Sequence, residues 1–382
     1  MQRRIGMIAA AALTLGALTI TVAEHIAGAA SAWTIVPSPN NGSDQVGFSS
    51  ISCTSTRFCI GVGYDYGTTD NEPFSALWNG TMWSRLQNPA GLTNSGGLSS
   101  VSCVSPSWCI AVGDSGLAEV WNGQKWTLDT AKSPGTDGSE LNGVSCVSKT
   151  WCVAVGWYDD RNAERDYAVV EWWNGKKWAL MNGANNSGLS VSLYGISCTT
   201  PKFCAAAGSW SPPGKAPEPE MNLVEIWNGT HWSNSQTPSR AVQINALNSI
   251  SCTSRAACTA VGYNEGVGGS TFATAPEVVS WNGTKWSFIA SPNIGGSDTL
   301  SAVLCKVPKV CLAVGSSYGS DSHGQTLILG LHGSKWAVIK SPNRAGTFNG
   351  LSSISCILPS WCEAVGSFGQ GYVSRTLVLR YG

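Results

Sequence analysis

Charge is what this sequence has least of. Asp, Glu, Lys and Arg make up 12% of its 382 residues, where roughly a quarter is usual for a globular protein. Its 23 basic and 23 acidic residues cancel to a formal net charge of zero. No basic stripe is available to neutralise phosphates, so nucleic acid is excluded as a partner. Histidine is scarce too, and His231, His323 and His332 stand apart from any second metal ligand. Beyond residue 32 there is no long amphipathic helical pattern, coiled-coil heptad, linker or low-complexity tail, which removes helical bundles and strings of tethered domains. A Ser-His-Asp signature, a Gly-rich phosphate loop and a redox cysteine motif are likewise missing.

What is present is repetition. A Cys-x5-Cys core recurs seven times, at Cys53/Cys59, Cys103/Cys109, Cys146/Cys152, Cys198/Cys204, Cys252/Cys258, Cys305/Cys311 and Cys356/Cys362, and uses all 14 cysteines. Successive first cysteines lie 43 to 54 residues apart. A period near fifty with strand-like content belongs to propeller blades, each about 40 to 50 residues folded as four antiparallel strands. Strand 1 is the Ser-rich run into the first cysteine, and strand 2 is the Cys-x-Ala-Val-Gly segment. Strand 3 ends in Trp-Asn-Gly, and strand 4 opens on the next Trp. Asn-Gly, at Asn79-Gly80, Asn122-Gly123, Asn174-Gly175, Asn228-Gly229 and Asn282-Gly283, predicts a hairpin turn with both residues at positive φ.

Closure of the strand 1–2 hairpin across a five-residue loop brings each cysteine pair within disulfide reach. Zinc is disfavoured, because Cys-x5-Cys lacks its usual spacing. Disulfides place the chain in an oxidising compartment. Met1 to Ala32 reads as a secretory leader, with Arg3 and Arg4, an apolar run from Ile5 to Val22, and Ala30-Ser31-Ala32 as the cleavage site;. A retained membrane anchor is the competing reading, and the run is barely long enough for it. The expected organisation is therefore a leader over 1–32 and one domain over 33–382, with no membrane contact after cleavage. Trp33-Thr-Ile-Val-Pro-Ser-Pro-Asn matches the strand 4 segments at Trp286 and Trp336, while Thr376 to Gly382 is a strand 3 with nothing after it. The N-terminal strand is thus expected to complete the last of seven blades and close the ring, leaving no exposed edge.

The unit Ser-Cys-x5-Cys-x-Ala-Val-Gly followed by Trp-Asn-Gly-x-x-Trp resembles that of secreted bacterial repeat proteins. Its order, Gly after strand 2 and Trp opening strand 4, is similar to kelch-type propellers. Its Asn-Gly-x-x-Trp turn resembles the Asp-box hairpin of sialidase-like propellers. The resemblance covers all seven units and implies an all-β, seven-bladed propeller. This chain has Val-Gly where kelch units have a double Gly, and Asn where the Asp-box has Asp.

Function is sought where the repeat varies. The 1–2 and 3–4 turns are nearly constant, whereas the 2–3 connection runs from Asp114-Ser-Gly116 in blade two to Ser209–Asn222 in blade four. Variation confined to one face of an array maps a binding face. Aromatics follow the strand 2 glycine there: Tyr64, Tyr66, Trp157, Tyr158, Trp210, Tyr263, Tyr318 and Phe368. On a ring they would surround one mouth and offer flat faces for sugar rings. The leading expectation is a monomeric, secreted, cofactor-free module that binds a carbohydrate or cell-envelope polymer. Asp159, Asp160 and Glu164 in blade three are the acid/base candidates for the alternative, a glycan-cleaving hydrolase or lyase, and as oxygen ligands they would also suit calcium. A protein-interaction scaffold is the third reading. A second aromatic series, Phe58, Trp108, Trp151, Phe203 and Trp361, precedes the second cysteine and is assigned to packing between blades.

Overall fold

The computed structural model describes residues 32–40, 45–67, 71–92, 95–131, 138–160, 165–184, 186, 189–212, 219–266, 273–319, 323–358 and 360–382. The expected leader up to Ser31, the candidate Glu164 and residues 213–218 of the Pro-rich connection lie outside them. Twenty-eight strands form seven four-stranded antiparallel sheets, one per repeat, and no helix occurs among the described residues. In blade one, strand 1 is Val46–Ser55, strand 2 Phe58–Tyr66, strand 3 Asn71–Trp78 and strand 4 Trp83–Arg85. Strand 1 of each blade touches strand 1 of both neighbours, so it is innermost. The ring closes as expected: Thr34–Val36 pairs with the last strand, Val373–Tyr381, in the register Thr34↔Arg380, Ile35↔Leu379, Val36↔Val378.

Each part of the motif has a physical origin in this geometry. The glycine ending Ala-Val-Gly sits opposite a bulge in strand 1, between Phe48 and Ser50 in blade one. A Cβ on Gly63, Gly113, Gly156, Gly208, Gly262, Gly315 or Gly366 would meet a carbonyl oxygen of strand 1, or for Gly113 that of Gly97 just before it, at 1.8–2.1 Å. No other residue fits there. A second bulge follows the first cysteine, and the ladder continues to Ser55↔Phe58, so the five-residue loop contracts to a two-residue turn at Thr56-Arg57.

The cysteines face one another with Cα atoms 4.0–4.1 Å apart, and all seven disulfides form. In blades one to five the two members are not equivalent, because the second lies on strand 2, which is covered on both edges by strands 1 and 3 of its own sheet, whereas in blades six and seven both are buried. Cys59, Cys109, Cys152, Cys204 and Cys362 are consequently 0–1% exposed and belong to the hydrophobic core. Cys53, Cys103, Cys146 and Cys198 are only half-buried. Cys59, Cys109, Cys152, Cys204 and Cys362 are staples of the fold and present no sulfur to an outside ligand.

The Asn-Gly turn differs from expectation. Gly80, Gly123, Gly175, Gly229 and Gly283 have φ of 90° to 100°, but none of the preceding asparagines is left-handed. Asn79 acts through its side chain instead. Its Oδ1 accepts hydrogen bonds from the backbone N–H groups of Thr81 and Met82, at 2.9 and 3.0 Å, and its own N–H donates to the Met82 carbonyl. Asn is selected as an acceptor for turn amides. The tryptophans flanking the turn pack against each other with ring centroids 5.6–6.2 Å apart, and Trp33 with Tyr381 reproduces this pair at the closure, at 5.7 Å.

The serine before the first cysteine joins the blades. As an edge strand, strand 1 turns unpaired N–H groups towards the ring axis. The Oγ atoms of Ser355, Ser52, Ser102, Ser145, Ser197 and Ser251 accept the N–H of Cys53, Cys103, Cys146, Cys198, Cys252 and Cys305 of the next blade, at 3.0–3.1 Å. Blade six has Leu304 at this position and no hydroxyl to offer. Phe58, Trp108, Trp151, Phe203 and Trp361 each pack on the core cluster of the following blade, together with that blade's disulfide.

Candidate functional site

Strand 2 does not stop at its glycine. It runs on to Tyr66, Asp160, Ser211, Glu265, Tyr318 and Gln370 in blades one and three to seven, so the aromatics expected on loops stand on strands. Extended backbone alternates side chains between two faces, and this divides them. Tyr158, Trp210 and Phe368, two residues after the glycine, pack against core clusters. Tyr158 also stacks on Tyr167 at 5.4 Å, and the Arg344 guanidinium lies 4.8 Å over Phe368. Tyr64, Trp157 and Tyr263, one residue after the glycine, share the opposite side with Tyr66 and Tyr318, three after it. Blade two carries Asp114 at the position of Tyr64.

The second side forms a belt across blades one to five. Tyr64 and Tyr66 stack with centroids 4.7 Å apart. The Tyr66 hydroxyl is held above its ordinary pKa by burial, then by the charges of Asp114, Tyr64 and Glu140. Asp114 pairs with Glu140 through a single bridge between blades two and three, and its carboxylate accepts the Gly97 N–H at 2.8 Å. Burial raises Glu140, Asp114 and Asp166 add to it, and the Trp157 indole N–H, donated at 3.2 Å, opposes them. Glu220 is raised by burial, and beyond that by Asp166 and Glu265. Tyr194 and Tyr263 are raised by burial, with Glu220 a further cause in both. Carboxylates held up by burial retain protons nearer neutrality than exposed ones do. Among the described residues, the causes that act by charge along this belt are acidic groups and tyrosines.

Two clefts are walled by aromatics from the two sides, the first by Tyr64 and the second by Trp210. One of about 510 Å³ is lined by Tyr64, Phe348, His323, Ser367, Gln370 and Ser374, joining blades one, six and seven. Tyr318 stacks on the back of Phe348 at 5.2 Å. The other, about 350 Å³ beside blade four, has Trp210 as a wall among the amides of Asn186, Asn222, Asn234 and Gln236. Asn222 is 2% exposed, and its Oδ1 has no hydrogen-bond partner among the described residues. The buried sulfurs of Cys109, Cys152, Cys204 and Cys362 line neither cleft.

The acid/base candidates sit differently. Asp160 faces Arg165 and Asp159 faces Asp166 across the hairpin that extends blade three, and burial, followed by the charge of Asp159, raises Asp166. Sequence reasoning missed Asp114, Glu140, Tyr194 and Glu220. Asp114 was detectable from its place after the strand 2 glycine, whereas Glu140 and Glu220 come from strand 1 and a connection, where no aromatic series points. Among the described residues the only three-ligand group close enough for a metal is Cys53, Cys59 and Glu363, and its two sulfurs are joined in a disulfide.

No protein-family model matches this chain. No curated protein matches it either. Solved structures do. YCF48 bound to a D1 peptide is 13% identical over 91% of this chain and 94% of that one, with a TM-score of 0.55. YCF48 from Cyanidioschyzon merolae is 13% identical over 92% and 98%, with a TM-score of 0.53. A polysaccharide lyase, an ulvan lyase, is 9% identical over 83% and 89%, with a TM-score of 0.57. At such identities the likeness establishes the propeller fold and nothing finer. Seven disulfides indicate an oxidising environment, and no helix among the described residues is long and apolar enough to cross a membrane.

Proposed function

We propose that this chain is an exported, non-catalytic module that binds a glycan or cell-envelope polymer on the 2–3 face. Its sugars are neutral or amine-bearing. One observation carries the reading: rings and carboxylates are interspersed along the belt from Tyr64 to Tyr263, with acidic groups supplying the charge among its described residues. Aromatic faces take the apolar faces of sugar rings, and carboxylates accept from hydroxyl or ammonium groups. The same carboxylates repel uronate and sialate chains. The protein acts as a monomer without a cofactor, after a leader ending at Ala32 is removed.

A glycan array, with sedimentation against isolated cell wall, tests the reading on oxidised protein from Trp33 to Gly382. Binding to a neutral or amino-sugar class, weakened roughly tenfold, about 1.4 kcal/mol, by Tyr64→Ala and by Trp157→Ala, is expected. Binding only to polyanionic glycans, or none at all, would overturn it.

The raised carboxylates favour a second reading, cleavage of the same polymer, because a general acid must keep its proton near neutral pH. Glu140 and Glu220 then join Asp159 and Asp160 as candidates. Release of reducing ends, abolished by Glu140→Gln or Asp160→Asn, would replace binding with catalysis. Capture of a peptide without any glycan effect would replace both.

A further inference from the structure

On the opposite face of the ring, the seam between blades five and six lacks a side chain that its sister seams have. Phe58, Trp108, Trp151, Phe203 and Trp361 fill five seams, each against the next blade's disulfide. Blade five has Ala257 at this position and blade six has Val310. Blade six compensates: Leu304 and Leu312 pack against the blade seven cluster. The residues of blade five equivalent to those leucines are Ser251 and Thr259. A cavity of about 290 Å³ remains, walled by Ala257, Ser251, Thr259, Trp281 and the disulfide-bonded Cys305 and Cys311. Its rim consists of the exposed turn residues Ala256, Asn282, Pro308 and Lys309.

We infer that this seam binds one aromatic ring with a polar edge, delivered as a Trp or Tyr side chain of another polypeptide. The size agrees, since an apolar cavity of about 150 Å³ accepts benzene, leaving room here for a bicyclic ring and its Cβ. The lining agrees too. A disulfide and an indole supply polarisable walls, and two hydroxyls stand in the wall. Ser251 Oγ accepts the Cys305 N–H at 3.0 Å and keeps its own proton to donate, while Thr259 Oγ1 touches Cys311 Sγ at 3.9 Å. In the five filled seams the ring arrives on a polypeptide, from the residue preceding a cysteine, which is why a side chain is the occupant. The rim opens at the turns, where a chain segment can pass.

Ligand-observed NMR with N-acetyltryptophanamide, free indole and N-acetylalaninamide tests the inference on the oxidised full ring. N-acetyltryptophanamide is expected to bind, the alanine amide not, and Ala257→Trp to weaken binding at least tenfold by placing the chain's own ring in the seam. Thr259→Leu, copying Leu312, is a second variant that decides the matter if Ala257→Trp does not fold. Absence of binding at millimolar amide, or binding undiminished in the folded variant, overturns the site. Free indole binding tighter than the amide overturns the polypeptide source. Glycan binding on the other face is unchanged in both variants, so failure here is separable from failure there.

Discussion

The Oγ of Ser52 accepts the backbone N–H of Cys103 at 3.0 Å, across the seam between blades one and two. This contact explains why serine precedes cysteine in six repeats: the hydroxyl covers a donor that an innermost strand cannot pair within its own sheet. Ser52→Ala is expected to cost about 1 kcal/mol, read as a lower urea midpoint. The exposed Ser84→Ala should be silent. Equal effects of the two would remove the serine contacts from the account of stability.

Gly63→Ala should prevent folding or cost several kcal/mol, because the new Cβ would stand 2.0 Å from the Gly47 oxygen, and backbone at a bulge cannot yield that far. Gly138→Ala, with nothing within 4 Å, should lie within about 0.5 kcal/mol of wild type. Thermal unfolding of the two side by side distinguishes them.

Reduction should unfold the ring at lower denaturant. Each disulfide closes a short loop and contributes about 2 kcal/mol, and all seven act in one ring. The Cys103→Ala/Cys109→Ala double variant should lose about that much, while dithiothreitol should remove several times more. Because Cys109 is fully buried, reduction should be slow in the folded ring and fast once urea opens it. A urea midpoint indifferent to reductant would contradict this.

Glu119 is fully buried with neither carboxylate oxygen hydrogen-bonded among the described residues, and burial pushes it up to about 7. A carboxyl raised in the fold binds its proton more tightly there than in the unfolded chain. Its stabilising effect is therefore complete below the unfolded value, near 4.5, and is lost as pH rises to about 7;. The loss is on the order of 3 kcal/mol. Glu119→Gln should flatten the fall in stability between these values and exceed wild type at pH 8. Parallel curves for the two proteins would show that Glu119 does not carry the effect.

The sequence alone determined the repeat, the blade count, the disulfide pairing and the closure of the ring by the strand at Trp33, because each depends on local spacing that recurs seven times. Packing of Trp108 or Phe203 on the next blade was legible for the same reason: a periodic residue meets a periodic environment. Four things needed the tertiary structure. Asn79 works through its side chain and not its φ, a matter of turn geometry that the dipeptide does not specify. The spacing pairs Cys103 with Cys109, yet only the sheet shows that the second of them sits in the core. The aromatics after the strand 2 glycine divide between the core and the opposite side of the strand, since the ladder continues past the bulge and alternation then separates Tyr64 from Phe368. Asp114 meets Glu140, and Asp166 lies within charge reach of both Glu140 and Glu220, only because the ring brings blades two, three and four together, from positions that share no motif. Local rules fix what repeats within a blade, and closure of the ring decides what neighbouring blades hold in common.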